Sequence, residues 1–437
     1  MEGHQFTLKK RPAFVIIAVA LVFCALESCS DRDNLSDHQS VKPDTTESSG
    51  ETPLLQSEAG SARRILTPLL QPEAESALRA IILQFPEHLD MGLRDVVEKL
   101  ETLQLSTSNF LENTGAETLA AVRAAWLSAH NAYEQTTLYR KLFESFAEEP
   151  AVLQLAEHQY FIDHWPIYAG YIDYLDNYPG SGLVNDMTVA LTSESVRAQH
   201  GLLDIHEAAL GFHALEFQLW GENVNGDDTR PYDDFIKVTD PASPTAIEGI
   251  PAEQLPRSRR RQFLALGVEE LSTETDSLFK TWNSERTSIL AALEQLDSRT
   301  IISKLSGAFI STLDDEILLP SLYPMLNGDY NASLHAVFSH ASQDAVSAQL
   351  FGMEQLLTES DVRGYTLNEI LSTLSSDYAE YFSRNLDASK ACLDRLYSKN
   401  YSTQITDSEF AVVECINLVQ NMIEYLEQIR DLTTEPD

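Results

Sequence analysis

The sequence predicts an all-α protein, and three observations carry that prediction. Seven stretches place apolar residues three and four positions apart, the spacing that builds one face of a helix: 122–143, 151–165, 195–220, 259–282, 334–357, 367–396 and 407–429. Turn-forming clusters separate them, "NYPGSG" (177–182), "NVNGDD" (223–228), "LYPMLNGD" (322–329) and "ESDVRG" (359–364). Alternating apolar and polar runs joined by Asn-Gly hairpin turns are scarce, so a sheet has little to form from.

The chain has 437 residues, 43% of them hydrophobic, enough for one large or two medium cores. Its formal net charge is −37, spread along the whole length. A field of that sign repels phosphate backbones, which excludes nucleic acid as a partner and favours cations.

In chain order, the first element is a leader. Lys9, Lys10 and Arg11 precede the apolar run "AFVIIAVALVFCAL" (13–26), too short for a permanent membrane span. The run ends in "LESC" (26–29), which resembles the lipobox of bacterial lipoproteins, with Cys29 as the residue to be acylated. Glu27 is unusual in that pattern, and an uncleaved anchor or a plain secretory peptide is the alternative. Residues 1–28 are therefore expected to be a signal peptide. By the same resemblance, Ser30 after the cysteine points to an outer membrane, with the lipid on Cys29 as the contact to it.

Residues 29–85 are expected to form a low-complexity tether, rich in Ser, Thr, Asp, Glu, Pro and Gln, that drifts into helix in its second half. Within it "TPLLQSEAGSA" (52–62) recurs as "TPLLQPEAESA" (67–77), too few copies for a solenoid. The helical region follows. It is interrupted by residues 222–256, which carry Pro, Gly, Asp and Glu without periodicity and exceed ordinary loop lengths of up to about 15 residues. That loop directly follows the most unusual helix, so it is placed to act as a lid.

The unusual helix is "GFHALEFQLWG" (211–221), apolar on every side and yet holding His213 and Glu216. The two are at i and i+3, hence neighbours on one face. His206, seven residues earlier, falls on nearly the same stripe if the helix is continuous. Gly211 then sits mid-helix, at a cost of about 1 kcal/mol against alanine, which close approach of another backbone would explain. Taken alone, His213 and Glu216 fit a buried hydrogen bond between helices as well as a ligand site.

Of the four cysteines, Cys24 leaves with the leader and Cys29 is acylated. Cys392 and Cys415 lie about two turns either side of "SKNYSTQITD" (398–407) and face each other if the flanking helices form a hairpin. An exported protein permits a disulfide there; two buried thiols are the other reading.

Gly211-x-His213-x-x-Glu216 followed by Leu219-Trp220-Gly221 resembles the signature of the imelysin-like family. Five further stretches are similar to that family: "AWLSAHNAYE" (125–134), "HWPIYAGYIDY" (164–174), "TRPYDDF" (229–235), "RSRRRQFL" (257–264) and, more weakly, "HAVFSHASQDAV" (335–346). The resemblance implies two four-helix-bundle-like units related by an approximate two-fold, an N-terminal one over 86–290 and a C-terminal one over 291–437. It also implies a bacterial protein, exported or lipid-anchored, of a kind classed with metallopeptidases and linked to iron acquisition. His213 and Glu216 become the expected metal ligands. Glu134 and Asp173 are candidates to orient a ligating histidine through its other ring nitrogen, and His130, Ser339 and Asp344 are lesser site candidates.

There are departures. His130 stands where the early helix commonly has Arg, and Thr136 and Thr137 where an acidic residue is often found. The second half lacks the family's acidic run before Phe338-Ser339, so His335 and His340 read as surface residues of an amphipathic helix before they read as replacement ligands. "RSRRR" (257–261) in so acidic a chain reads as pairing with carboxylates, and "DDE" (314–316) as a solvated face at least as much as a site.

Two function classes follow, with a third behind them. The zinc-peptidase motif HExxH needs a second His at i+4 and a Glu directly after the first. Here Ala214 and Phe217 hold those positions. The expectation is therefore binding of a metal ion, iron or zinc, or of an iron-containing ligand, as part of a metal- or iron-uptake system, with a zinc-type metallopeptidase as the alternative. A structural or adhesion lipoprotein, in which His213 and Glu216 merely pair, is the third reading.

Overall fold

The computed structural model describes residues 69–223, 229–238, 249–328, 334–359, 362, 364–375, 378–397 and 405–434. The leader, Cys29 and the first copy of the tandem duplication lie outside the described residues. Residues Leu66–Asp437 form one compact unit. Among the described residues there is no strand, only the isolated bridges Leu175–Tyr178 and Val362–Tyr365. The molecule is all-α.

Helix begins within the second half of the expected tether. α1 (Pro72–Ile82) starts on a proline, whose fixed φ suits the first turn, with Glu73 and Glu75 at the positive end of the helix dipole. It buries Ala77, Leu78, Ile81 and Ile82. The expected tether to residue 85 is thus packed helix from Pro72 onward, because this short stripe is apolar enough to hold to the core. α2 (Phe85–Glu112) buries Leu89, Leu93, Val96, Leu100, Leu103 and Phe110, a three- and four-residue rhythm that makes a single inward stripe.

The stretch 122–143 is two helices. α3 (Ala116–Gln135) ends at Thr136 and α4 (Thr137–Phe146) begins there, with the Thr136 and Thr137 hydroxyls donating to the carbonyls of Tyr133 and Glu134. α5 (Glu149–Asp163) ends on an acid. After it come the short α6 (Ala169–Ile172), α7 (Ser193–Gln199) and α8 (Phe212–Trp220). The expected helix over 195–220 is therefore broken between Gln199 and Phe212. Gly211 is not mid-helix but precedes α8 with φ 99°, a left-handed conformation that glycine tolerates. A Cβ there would lie 2.7 Å from the Ile162 carbonyl oxygen. The glycine lets the start of α8 press on the end of α5.

α9 (Pro256–Gln295) is the long spine. α2 packs on α3 and α9, and α5 also lies on α9. α10 (Ser298–Leu313) leads through a π-helical turn at 314–322 into α11 (Tyr323–Leu326). α12 (Ser342–Thr358) packs on α3, and α13 (Leu367–Ser372), α14 (Tyr378–Tyr397) and α15 (Ile405–Asp431) complete the chain, α15 lying against α10 and α14. Cys392 on α14 and Cys415 on α15 are disulfide-bonded, Cα to Cα 5.6 Å. The expected helix over 334–357 starts only at Ser342. Before it the chain turns, with Ala336 and His340 at φ 57° and 59°.

The described parts of the long loop sit against the fold. Arg230 is buried and bonds Asp173, and Arg123 caps α8 by donating to the Leu219 carbonyl at 2.7 Å. The "RSRRR" segment is divided in its work. Arg260 pairs with Asp173, Arg259 donates to the carbonyls of Leu183, Val184, Asp186 and Val189, and Arg261 to those of Leu111 and Phe235.

Candidate metal centre

Four segments converge on one point: α3, the end of α5, the start of α8 and the turn before α12. α3 is seated on α8 by the Trp126 indole, which donates to the Phe212 carbonyl at 2.9 Å. α5 ends at Asp163, an anion at the negative end of a helix dipole, a placement that costs stability unless a positive charge meets it. His213 stands two residues after Gly211, so the close approach of α8 to α5 brings it onto Asp163.

His130, Asp163, His213 and His335 each offer one donor atom, and all four atoms lie within 4.8 Å of one another. Asp163 Oδ1 is 3.3 Å from His213 Nε2 and 3.5 Å from His130 Nε2. None of these three buried atoms has a hydrogen-bond partner. Buried polar atoms are nearly always satisfied, so three unsatisfied ones facing each other mark a site shaped for something else. Ligands about 2.1 Å from an ion lie roughly 3.4 Å apart at tetrahedral angles. The residues therefore fit a metal ion, both in donor type and in spacing.

Around this set a second layer fixes the rings. His213 Nδ1 is 3.0 Å from Glu216 Oε2, while the other Glu216 oxygen accepts from the Ser339 amide and hydroxyl, both at 2.7 Å. His335 Nε2 is 3.2 Å from Glu134 Oε1, and Gln349 donates to the other Glu134 oxygen at 2.9 Å. The His130 ring is stacked between Trp126 at 4.7 Å and His335 at 5.3 Å, and Trp165 covers His213 at 4.7 Å. These rings cannot swing freely.

Electrostatics follow from the crowding. Burial pushes the Asp163 carboxyl up, but the imidazoles of His130 and His213 beside it outweigh this and hold it well below the usual range. Burial lowers His213, yet Asp163 and then Glu216 overcome this and raise it to about 9. Burial also opposes the charge on Glu216, and His213 and Ser339 still keep its pKa below the ordinary value.

The predicted residues separate into two groups. His213, Glu216, Glu134, His130 and Ser339 come together here. Glu216 faces Nδ1 of His213, the ring nitrogen opposite the one that faces Asp163, so it holds the histidine. Asp173 does not belong: it is buried and bound by Arg230, Arg260, Gln218 and Asn185. His206 is also apart, its Nδ1 2.9 Å from the Pro166 carbonyl, because the helix that would have aligned it with His213 is broken. His340 contacts the Asn223 carbonyl at 2.7 Å. His335 corrects the sequence expectation, being 8% exposed and inside the cluster. The turn at Ala336, not a helix, aims it inward. Asp163 went unnoticed in the sequence. The signal was an acid closing an otherwise ordinary helix, next to His164-Trp165-Pro166. "DDE" sits elsewhere, with Glu316 2.9 Å from Lys141.

An all-helical chain that gathers three histidines and one aspartate at one point belongs to the class of helical proteins whose side chains are compatible with a metal ion. The Imelysin family model matches residues 90–428, and the chain belongs to the imelysin family. Among solved structures it is similar to one named as an iron-regulated protein A precursor from Parabacteroides distasonis ATCC 8503, with TM-score 0.58 and 14% identity over 82% of this chain and 96% of that one. It is also similar to an imelysin-like protein from Psychrobacter arcticum 273-4, with TM-score 0.49 and 15% identity over 83% and 94%. At 14% identity the first likeness is one of fold. No curated protein matches the sequence.

Proposed function

We propose that the protein binds one divalent metal ion, iron or zinc, through His130, Asp163, His213 and His335, and serves metal uptake. The observation that carries this is the trio of facing, buried and unpartnered atoms on His130, Asp163 and His213. Charge supports it. Three carboxylates, Asp163, Glu134 and Glu216, surround the point, against one buried guanidinium, Arg140. A double positive charge balances the difference, and a buried charge left unbalanced is costly. The imidazole-rich donor set suits zinc and iron.

The chain's own residues do the following. Asp163 supplies the anionic donor, and His130 and His213 present Nε2 toward it. Glu216 keeps His213 oriented through Nδ1, and the Ser339 amide and hydroxyl keep Glu216 in place. When bound, the ion supplies positive charge at the centre of the four donors. Since His213 is protonated near neutrality without it, loading releases that proton, and retention weakens in acid. The iron-regulated name of a fold neighbour and the acidic field that gathers cations both favour acquisition as the role. The leader residues Lys9, Lys10 and Arg11 with Cys29 favour export and lipid anchoring at an outer membrane.

Calorimetric titration of metal-free protein with Zn2+ and Fe2+ tests the reading, beside a peptide-cleavage assay. One ion per chain is expected, with loss of more than about a hundredfold in affinity for His213→Ala and Asp163→Asn. Affinity unaltered in both variants would refute the site. Metal-dependent peptide cleavage lost in both would replace uptake with a peptidase.

A further inference from the structure

Two of the donors are sealed, His130 at 2% exposed and His213 at 1%, while the Asp163 side chain is 11% exposed. An ion must therefore reach them through some opening. A cavity of about 320 Å3 lies between α3 and the start of α12, lined by Leu127, Ser128, His130, Asn131, Ala341, Asp344 and Ala345. Its mouth is marked by the exposed Ser128 and Asp344, and its floor includes the buried ring of His130. Two alanines on the α12 side keep the gap from filling. Among the described residues, the ionisable groups on its wall are the donor His130 and the acid Asp344, with no lysine or arginine.

We infer that this cavity is the inlet to the metal centre and that it admits the hydrated divalent cation itself, rejecting metal held in an anionic chelate. This rests on the proposed metal-binding function. A passage with Asp344 at its mouth and no basic side chain among its described lining residues attracts a cation and offers no partner to the carboxylates or phosphates of a chelator. Asn131 and Ser128 supply neutral polar atoms along the wall, suited to the water shell of an arriving ion. His130 belongs to both the cavity and the donor set, so it is the first donor an ion meets. The acid at the mouth therefore sets the rate of loading, while the buried donors set how tightly the ion is held.

The test uses Co2+ as probe and stopped-flow quenching of tryptophan fluorescence, since Trp126 lies on His130 and Trp165 on His213. Asp344→Lys is compared with Glu424→Lys, an equal charge change at an exposed position of α15. At low ionic strength Asp344→Lys should slow association about tenfold, and the difference should shrink as salt rises. Glu424→Lys should stay within about twofold of wild type. Offered as its anionic citrate complex, Co2+ should load no faster than the complex releases it. Equal rates in the two variants would overturn the inlet, and so would loading that accelerates in proportion to the complex at fixed free Co2+. Absence of quenching and of any calorimetric Co2+ binding in wild type would overturn the metal centre, and the inlet with it.

Discussion

Asp173→Asn tests whether this acid is a part of the framework or of the site. The carboxylate accepts from Arg260 Nε at 2.5 Å and Nη2 at 3.0 Å, from Arg230 Nη1 at 3.0 Å and from the Tyr174 amide at 2.8 Å. Both arginines are 3% exposed, and Asp173 itself is fully buried. Replacing it by an amide strips the charge that two buried guanidinia share. Arg230 keeps Asp234 at 3.3 Å, while Arg260 keeps the Asp234 carbonyl at 3.1 Å and the face of Tyr174. Breaking a buried pair of this kind costs about 3–5 kcal/mol. With unfolding entropy of about 2.1 cal/mol/K per residue over a unit of roughly 370 residues, that lowers Tm by about 4–6 °C. The pH dependence has a definite sign. Burial raises the Asp173 pKa, but Arg230 and Arg260 more than reverse this and leave it lowered in the folded protein. Its contribution is therefore fully present above the unfolded value of about 3.9 and is lost as pH falls through the lower folded value. Scanning calorimetry of both proteins from neutral pH down to about pH 3 should show a gap that is widest near neutrality and closes in acid. Because Asp173 lies outside the donor set, Co2+ affinity well below Tm should change by less than about twofold. A Tm unchanged at pH 7, or a metal affinity lowered tenfold or more, would refute the assignment.

Three further outcomes are expected. Glu216→Gln should weaken metal binding about 10–100-fold while leaving one ion per chain, since it orients His213 instead of ligating, and calorimetry reads both quantities. Gly211→Ala should destabilise the fold by about 1–3 kcal/mol in chemical denaturation, because the added Cβ meets the Ile162 carbonyl at a positive φ. Cys392→Ala with Cys415→Ala should cost about 3 kcal/mol, the loop-closure value for a separation of 23 residues, read as a lower denaturant midpoint.

The helical class and the family were legible because both rest on local features. Apolar spacing reports one helix at a time, and the GxHxxE segment is contiguous. The Cys392–Cys415 pairing, which needed only a hairpin of two flanking helices, was also legible; what failed were the readings that assumed one unbroken helix where the chain turns. An unbroken stripe over 195–220 aligned His206 with His213, until the chain turned at 200–211 and set them apart. The same continuity placed His335 on a helix surface, whereas a left-handed residue at Ala336 turns it inward. Spacing alone left Glu216 open between a hydrogen bond to His213 and a ligand role, and the family resemblance made it an expected ligand. Which of its neighbour's two nitrogens it faces depends on α5, brought close by Gly211. Asp163 carried no motif at all, and only its unfavourable seat at a helix end hinted at a positive partner.

The donors span residues 130 to 335 and come from four separate segments. A fragment ending before α12 lacks His335, and one beginning after α5 lacks His130 and Asp163. No such partial chain has the full set of candidate donors, and closing so long a loop carries an entropic cost that only the completed fold offsets. On the proposed binding, metal occupancy is a certificate of completed folding: a molecule that carried the ion would have brought its first helices and its last third together, and one that began to come apart in the middle would let the ion go.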